Sequence, residues 1–143
     1  MMSIIYAIIS GISMSLQGVF NTRLGEKIGI WETNVLVQGT GFLLTLIILM
    51  FFGKGSFKNI KDVNKLYLLG GAIGVIIIFT VMKSIGAMGA TYGIAIILVA
   101  QLIAAAAIDA FGLFGSERIP FNFKEFIGVS IMIIGIIIFK WRS

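Results

Sequence analysis

The chain has 143 residues, 59% of them hydrophobic and 12% charged, with 11 Lys and Arg against 6 Asp and Glu for a net charge of +5. So few polar residues cannot cover a water-soluble domain, and a mean hydropathy of +1.09 makes hydrocarbon the solvent for most of the surface. With no cysteine and no histidine, a disulfide framework, the usual zinc sites and an imidazole proton carrier are excluded, so any proton coupling would fall to a carboxylate.

The first apolar stretch, about 4–20, lacks a basic leader and a small-x-small cleavage site, and further apolar segments follow it. It is expected to be a retained membrane helix, not a signal peptide. Ser10, Met14, Gln17 and Asn21 are spaced four, three and four apart, which places them on one helical face. Gly11, Ser15 and Gly18 form a small-residue stripe beside it, which permits close helix approach. A loop is expected over 22–30, carrying Arg23, Glu26 and Lys27.

A second span is expected over about 32–52, where Asn34, Gln38, Gly41 and Thr45 repeat the same spacing. Trp31 and the pair Phe51–Phe52 suit the two membrane interfaces. A basic loop with Lys54, Lys58 and Lys61 leads to a third span at about 66–82, which holds the tight-packing motif Gly70-x-x-x-Gly74. A short link over 83–90 precedes a fourth span at 91–111. Gln101 lies ten residues past Thr91, roughly 15 Å along the axis and close to the bilayer midplane. An amide at that depth has no water to bond and needs protein, substrate or a wet cavity. After Pro120, Asn122 and Glu125 have the spacing of an N-terminal capping pair. They open a fifth span at about 126–139, with Gly128 and Gly135 one heptad apart and Lys140, Trp141 and Arg142 as its anchor.

The expected fold is therefore an all-α membrane protein, a single transmembrane domain over 1–143 with five spanning helices and termini on opposite sides. Six Lys and Arg (Lys54, Lys58, Lys61, Lys65, Arg118 and Lys124) fall on the N-terminal side, and five (Arg23, Lys27, Lys83, Lys140 and Arg142) on the other. Orientation follows Lys/Arg asymmetry, and a chain this balanced is expected to insert both ways and pair as an antiparallel homodimer. Membrane lipid is thus a partner, and nucleic acid is a poor explanation of the positive charge.

Several stretches bear a family likeness. Gly86-Ala-Met-Gly-Ala-Thr-Tyr-Gly-Ile-Ala, Leu98-Val-Ala-Gln-Leu-Ile and Ile108-Asp-Ala-Phe-Gly, with Gln17-Gly-Val-Phe-Asn21 and Leu24-Gly25, resemble the YdcZ-like family of the drug/metabolite transporter superfamily. The resemblance covers nearly the whole chain and is strongest over 85–112. It implies a five-helix half-transporter whose partner is an inverted copy of itself or a paralogue. It implies, too, a location in the cell (inner or plasma) membrane. The small multidrug members of that superfamily carry a glutamate midway along helix one; this chain has only Gln17 and Asn21 there, so that antiport site is not carried over.

Gln17, Asn21, Gln38 and Gln101 are the candidate substrate-binding residues, each with a plainer role as an interhelical clamp or, for Asn21, a helix cap. Asn34 lies a turn from the interface, where hydration would satisfy it. Asp109 and Glu32 are the candidate coupling carboxylates. Asp109 lies near headgroup level, where an ion pair with Lys61, Lys65, Arg118 or Lys124 would be the structural alternative; Glu32 suits the positive end of a helix. Gly70, Gly74, Gly128 and Gly135 are read as helix or dimer packing surfaces. No nucleotide-binding loop, metal cluster or catalytic constellation appears, so no cofactor, metal or enzymatic activity is expected. The leading function is secondary transport, export above all, of a small polar, aromatic or weakly cationic metabolite or drug. A dual-topology ion channel and a non-transporting accessory subunit remain open.

Overall fold

The computed structural model describes residues 1–141; Arg142, assigned to the anchor of the last helix, lies outside them. Five α-helices occur in the order α1 (Met2–Ile28), α2 (Ile30–Phe52), α3 (Gly70–Met88), α4 (Ala90–Phe111) and α5 (Phe123–Lys140). Short 3-10 helices at Phe57–Asp62 and Lys65–Leu69 fill the basic connection, and a third, Leu113–Gly115, follows α4. The chain forms two compact units, Met1–Ala87 and Met88–Ser143.

The helices run past the limits that hydropathy suggests. The expected loop over 22–30 is helical as far as Ile28, because Arg23, Leu24, Glu26 and Lys27 all favour helix. Arg23 pairs with Glu26 one turn on, at 3.1 Å. Likewise the expected link over 83–90 is helix up to Met88. The helices break instead at single glycines. Gly29 has φ 103° and ψ 153°, and Gly89 has φ 81° and ψ 162°. This region is open essentially to glycine alone. The Gly29 N–H still donates to Gly25 O at 3.0 Å, and Thr33 N donates to Gly29 O at 3.1 Å, so α1 and α2 form a hairpin with one residue between them.

In the first unit, small residues on α1 meet α3. A methyl group at Gly18 would lie 2.8 Å from Ile85 Cδ1 and 3.2 Å from Val81 Cγ1, and one at Gly25 would lie 3.3 Å from Met82 Sδ. Thr22 faces Gly86 at the next turn. Trp31 on α2 stacks on Phe79 of α3 with centroids 5.0 Å apart. Gly11, Gly70, Gly128 and Gly135 have no such neighbour within 4 Å; of the two glycines that define the Gly70-x-x-x-Gly74 motif, Gly74 alone has another helix in the path of an added methyl group, at Gln38.

In the second unit α4 packs on α5, and Lys140 Nζ sits 4.5 Å from the Tyr92 ring centre. Gly112, in the left-handed region with φ 62°, ends α4. The following loop turns back: Ile119 N donates to Asp109 O at 2.9 Å, and Arg118 Nε donates to Ala110 O at 3.2 Å. A cation over the last carbonyls of α4 is favourable at that end of the helix dipole. The Asn122–Glu125 spacing is realised as a cap, with Asn122 N donating to Glu125 Oε2 at 2.7 Å.

The exterior is apolar, and the interior holds polar side chains beside the apolar Ile78, Met82, Ile85 and Val99. The buried side chains include Asn21, Thr22, Thr33 and Asn34, while Ile, Leu and Phe residues on all five helices face outward. Among the described residues, α1, α2, α3 with its preceding turn, and α4 are long and apolar enough to cross a membrane. The 18 residues of α5 include Lys124, Glu125 and Lys140, which confine its apolar part to 126–139.

Candidate functional site

The polar residues of the first unit converge where α1 ends and α2 begins. Thr33 is wholly buried, and its Oγ1 donates to Gly29 O at 2.8 Å. Thr22 Oγ1 donates to Gly18 O at 2.7 Å. Neither hydroxyl is left to seek a partner. Asn21 is buried in mid-helix; because α1 continues for seven residues beyond it, Asn21 is not the C-terminal cap that hydropathy limits suggest. Asn34, expected to be hydrated, is also buried, with 3% of its surface exposed.

Asn34 and Gln38 act as a pair. Asn34 Nδ2 donates to Val75 O at 2.9 Å, and Gln38 Nε2 reaches Gly71 O at 3.4 Å, so successive turns of α2 hold successive turns of α3. Gly74 lies between these contacts, and a methyl group there would come within 3.1 Å of Gln38 Nε2. The polar stripe of α2 is thus an interhelical fastening at its first two members. Asn34 Oδ1 is buried and has no partner among the described residues.

This geometry separates two substitutions of similar size. Asn34→Leu should lose only the fastening, about 0.6–2 kcal/mol. Asn34→Asp should cost about 3–5 kcal/mol, since an unpaired buried charge would face the Val75 carbonyl. Detergent-titrated unfolding followed by circular dichroism measures the difference, and equal losses for the two would contradict the assigned contact.

Three other sequence candidates are exposed. Gln17 is exposed on α1, one residue before the packed Gly18. Glu32 is exposed in the first turn of α2, its carboxylate beside Gly29. Gln101 is exposed, the twelfth of the 22 residues of α4, and makes no hydrogen bond among the described residues.

Asp109 is half-buried and forms no ion pair among the described residues; Arg118 lies instead on the Ala110 carbonyl. It is the Asp109 backbone oxygen, not the carboxylate, that anchors the loop. The carboxylate lines a cleft of about 500 Å³ between α4 and α5, walled by Leu102, Ala106, Phe121, Val129 and Met132. Glu125 lines the same cleft. Its sequence signal was that of a cap alone, and no spacing rule joins positions 109 and 125 across a loop. A second cleft of about 360 Å³ in the first unit is lined by Thr22, Glu26, Met82 and Lys83.

Apolar exteriors, buried polar residues and four membrane-length helices define a multi-pass membrane protein. Residues 2–138 match the family described as "Putative inner membrane exporter, YdcZ". The chain belongs to this drug/metabolite transporter-type family of the inner membrane, whose description is that of an exporter. No curated protein and no solved structure matches the chain.

Proposed function

We propose that the protein is a secondary exporter in which two oppositely inserted five-helix units surround a shared cavity and work by alternating access. The observation that carries this reading is Gln101. An amide midway along an apolar helix, exposed and unpaired within its own chain, has no partner in hydrocarbon and calls for a wet or protein-lined surface. Pairing with a copy or a paralogue supplies one, and the near balance of six against five flanking cations permits inverted insertion. In this reading α5 is the fifth span of a single transmembrane domain, made sufficient by local thinning around its shorter apolar part.

Gln17 and Gln101, the exposed amides, are assigned direct substrate contacts. Asn21 and Gln38, in the same unit as Gln17, are assigned its support from their packed positions. Asp109 and Glu32 are the carboxylates available for coupling, and Gly70, open on its own unit, is available to a partner helix, whereas Gly128 and Gly135 line clefts against α4. Gly74 serves packing inside the unit. A small polar, aromatic or weakly cationic compound suits amide donors and acceptors of this kind.

Two measurements test the reading. Tags at each terminus, probed from both membrane faces in cells, are expected to be accessible from both; one orientation only would remove the inverted homodimer and leave a paralogous pair. Purified protein in liposomes is expected to move solute at carrier rates, whose conformational steps take μs to ms or longer. Fluxes above about 10⁵ per second would instead identify a channel.

A further inference from the structure

We infer that the α4–α5 cleft binds amphipathic organic cations, with Asp109 as the principal counter-charge. This goes beyond the exporter reading by adding a binding site whose lining does not include Gln17 or Gln101, and it rests on that reading only for its physiological meaning, because binding is measured without transport.

The cleft has the volume of a small-molecule site, about 500 Å³, against a usual range of roughly 300–1,000 Å³. Its wall is apolar apart from one end, and the ionisable residues on it, Asp109 and Glu125, are both acids. No Lys or Arg lines it. Arg118 is turned onto the Ala110 carbonyl, Lys124 adjoins Glu125 in sequence but does not line the cleft, and neither forms an ion pair with these carboxylates among the described residues. A half-buried carboxylate beside hydrocarbon surface attracts a positive charge more strongly than one in water, because the surrounding medium screens less.

The same features exclude other occupants by charge and ligand count. An anion would meet two carboxylates and no donor cation. A hard inorganic cation requires about six oxygen ligands, whereas this wall offers two carboxylates, one oxygen of which already accepts from Asn122 N. A charge carried on an apolar body satisfies both parts of the wall at once: the body covers Leu102, Phe121, Val129 and Met132, and the charge faces Asp109.

The probe is tetraphenylphosphonium, measured by equilibrium binding to the full-length protein in lipid nanodiscs, with triphenylphosphine oxide as the uncharged comparison. Saturable binding of the cation and none of the oxide is expected. Asp109→Asn should weaken binding at least tenfold and Glu125→Gln about threefold. Both variants are expected to fold, since the Asp109 loop contact is made by backbone and glutamine can retain the cap at position 125. Ala106→Leu, which fills the cleft from α4 without altering charge, should also abolish binding and keeps the test decisive if Asp109→Asn proves unstable.

Equal binding of the two probes, unchanged affinity in Asp109→Asn or Ala106→Leu, or no saturable binding to the wild-type protein would each overturn the inference. The outcome is separable from the exporter reading. Cation binding with no solute movement in liposomes would defeat that reading and leave the cleft assignment intact. Export of a neutral solute by a protein that binds no cation would do the reverse.

Discussion

Gly29→Val is expected to destabilise the first unit by about 2–3 kcal/mol, enough to shift its folding equilibrium by some two orders of magnitude. The cost arises from backbone geometry. At φ 103° and ψ 153° a β-branched residue is strained whatever the surrounding space, and here the added Cβ would also overlap the Glu32 carboxylate. The Glu32 side chain is exposed and can swing aside, so the overlap contributes little and the dihedral strain dominates. Relief of that strain would open the α1–α2 hairpin and separate Thr33 Oγ1 from the Gly29 carbonyl, leaving a wholly buried hydroxyl unpaired. Gly55→Val serves as the control: the position is open, its φ is not in the left-handed region, and a change near zero is expected. Unfolding titrations in mixed micelles would measure both. Equal effects at the two positions would show that Gly29 is not the constraint that joins α1 to α2.

How far the sequence discloses this architecture depends on which physical signal is read. Apolar runs reveal the membrane-length helices, because hydrocarbon demands continuous apolar side chains. They do not reveal where helices stop. Arg23, Glu26, Lys27 and Lys83 are unsuited to lipid but well suited to helix, so α1 and α3 continue beyond the hydropathy limit and end only at Gly29 and Gly89. The discriminating signal is an isolated glycine followed directly by another apolar run, and it is weak in a chain containing 18 glycines.

Spacing placed Asn34 and Gln38 on one face but could not say what the face meets. Their α3 partners are the Val75 and Gly71 carbonyls, backbone groups with no residue-type signature. The Asp109–Glu125 pairing in one cleft was illegible for a related reason: the intervening loop folds back through a bond from Ile119 N to Asp109 O, again a backbone contact. By contrast, the capping role of Asn122 and Glu125 is local and fully encoded in a three-residue spacing.

Gln101→Leu is expected to reduce transport at least tenfold while leaving the stability of the isolated unit unchanged or slightly raised. The amide makes no hydrogen bond within the described chain, so its removal forfeits no internal contact, and leucine is the better helix former in lipid. An amide hydrogen bond across membrane helices contributes about 0.6–2 kcal/mol, equivalent to roughly 3–30-fold in an equilibrium constant. A substrate that relies on it as a main polar contact should lose transport at the upper end of that range.

Two roles are then distinguished by where the loss falls. If Gln101 touches substrate, Gln101→Leu raises KM or lowers kcat while cross-linking yields of the paired protein stay constant. If it fastens two copies together, the yield falls in proportion to activity, and Gln101→Asn, which retains the amide on a shorter arm, restores neither. Unaltered transport in Gln101→Leu would remove the central cavity in either form. The demand for a second copy would then rest on flanking charge alone, which differs between the two sides by a single residue.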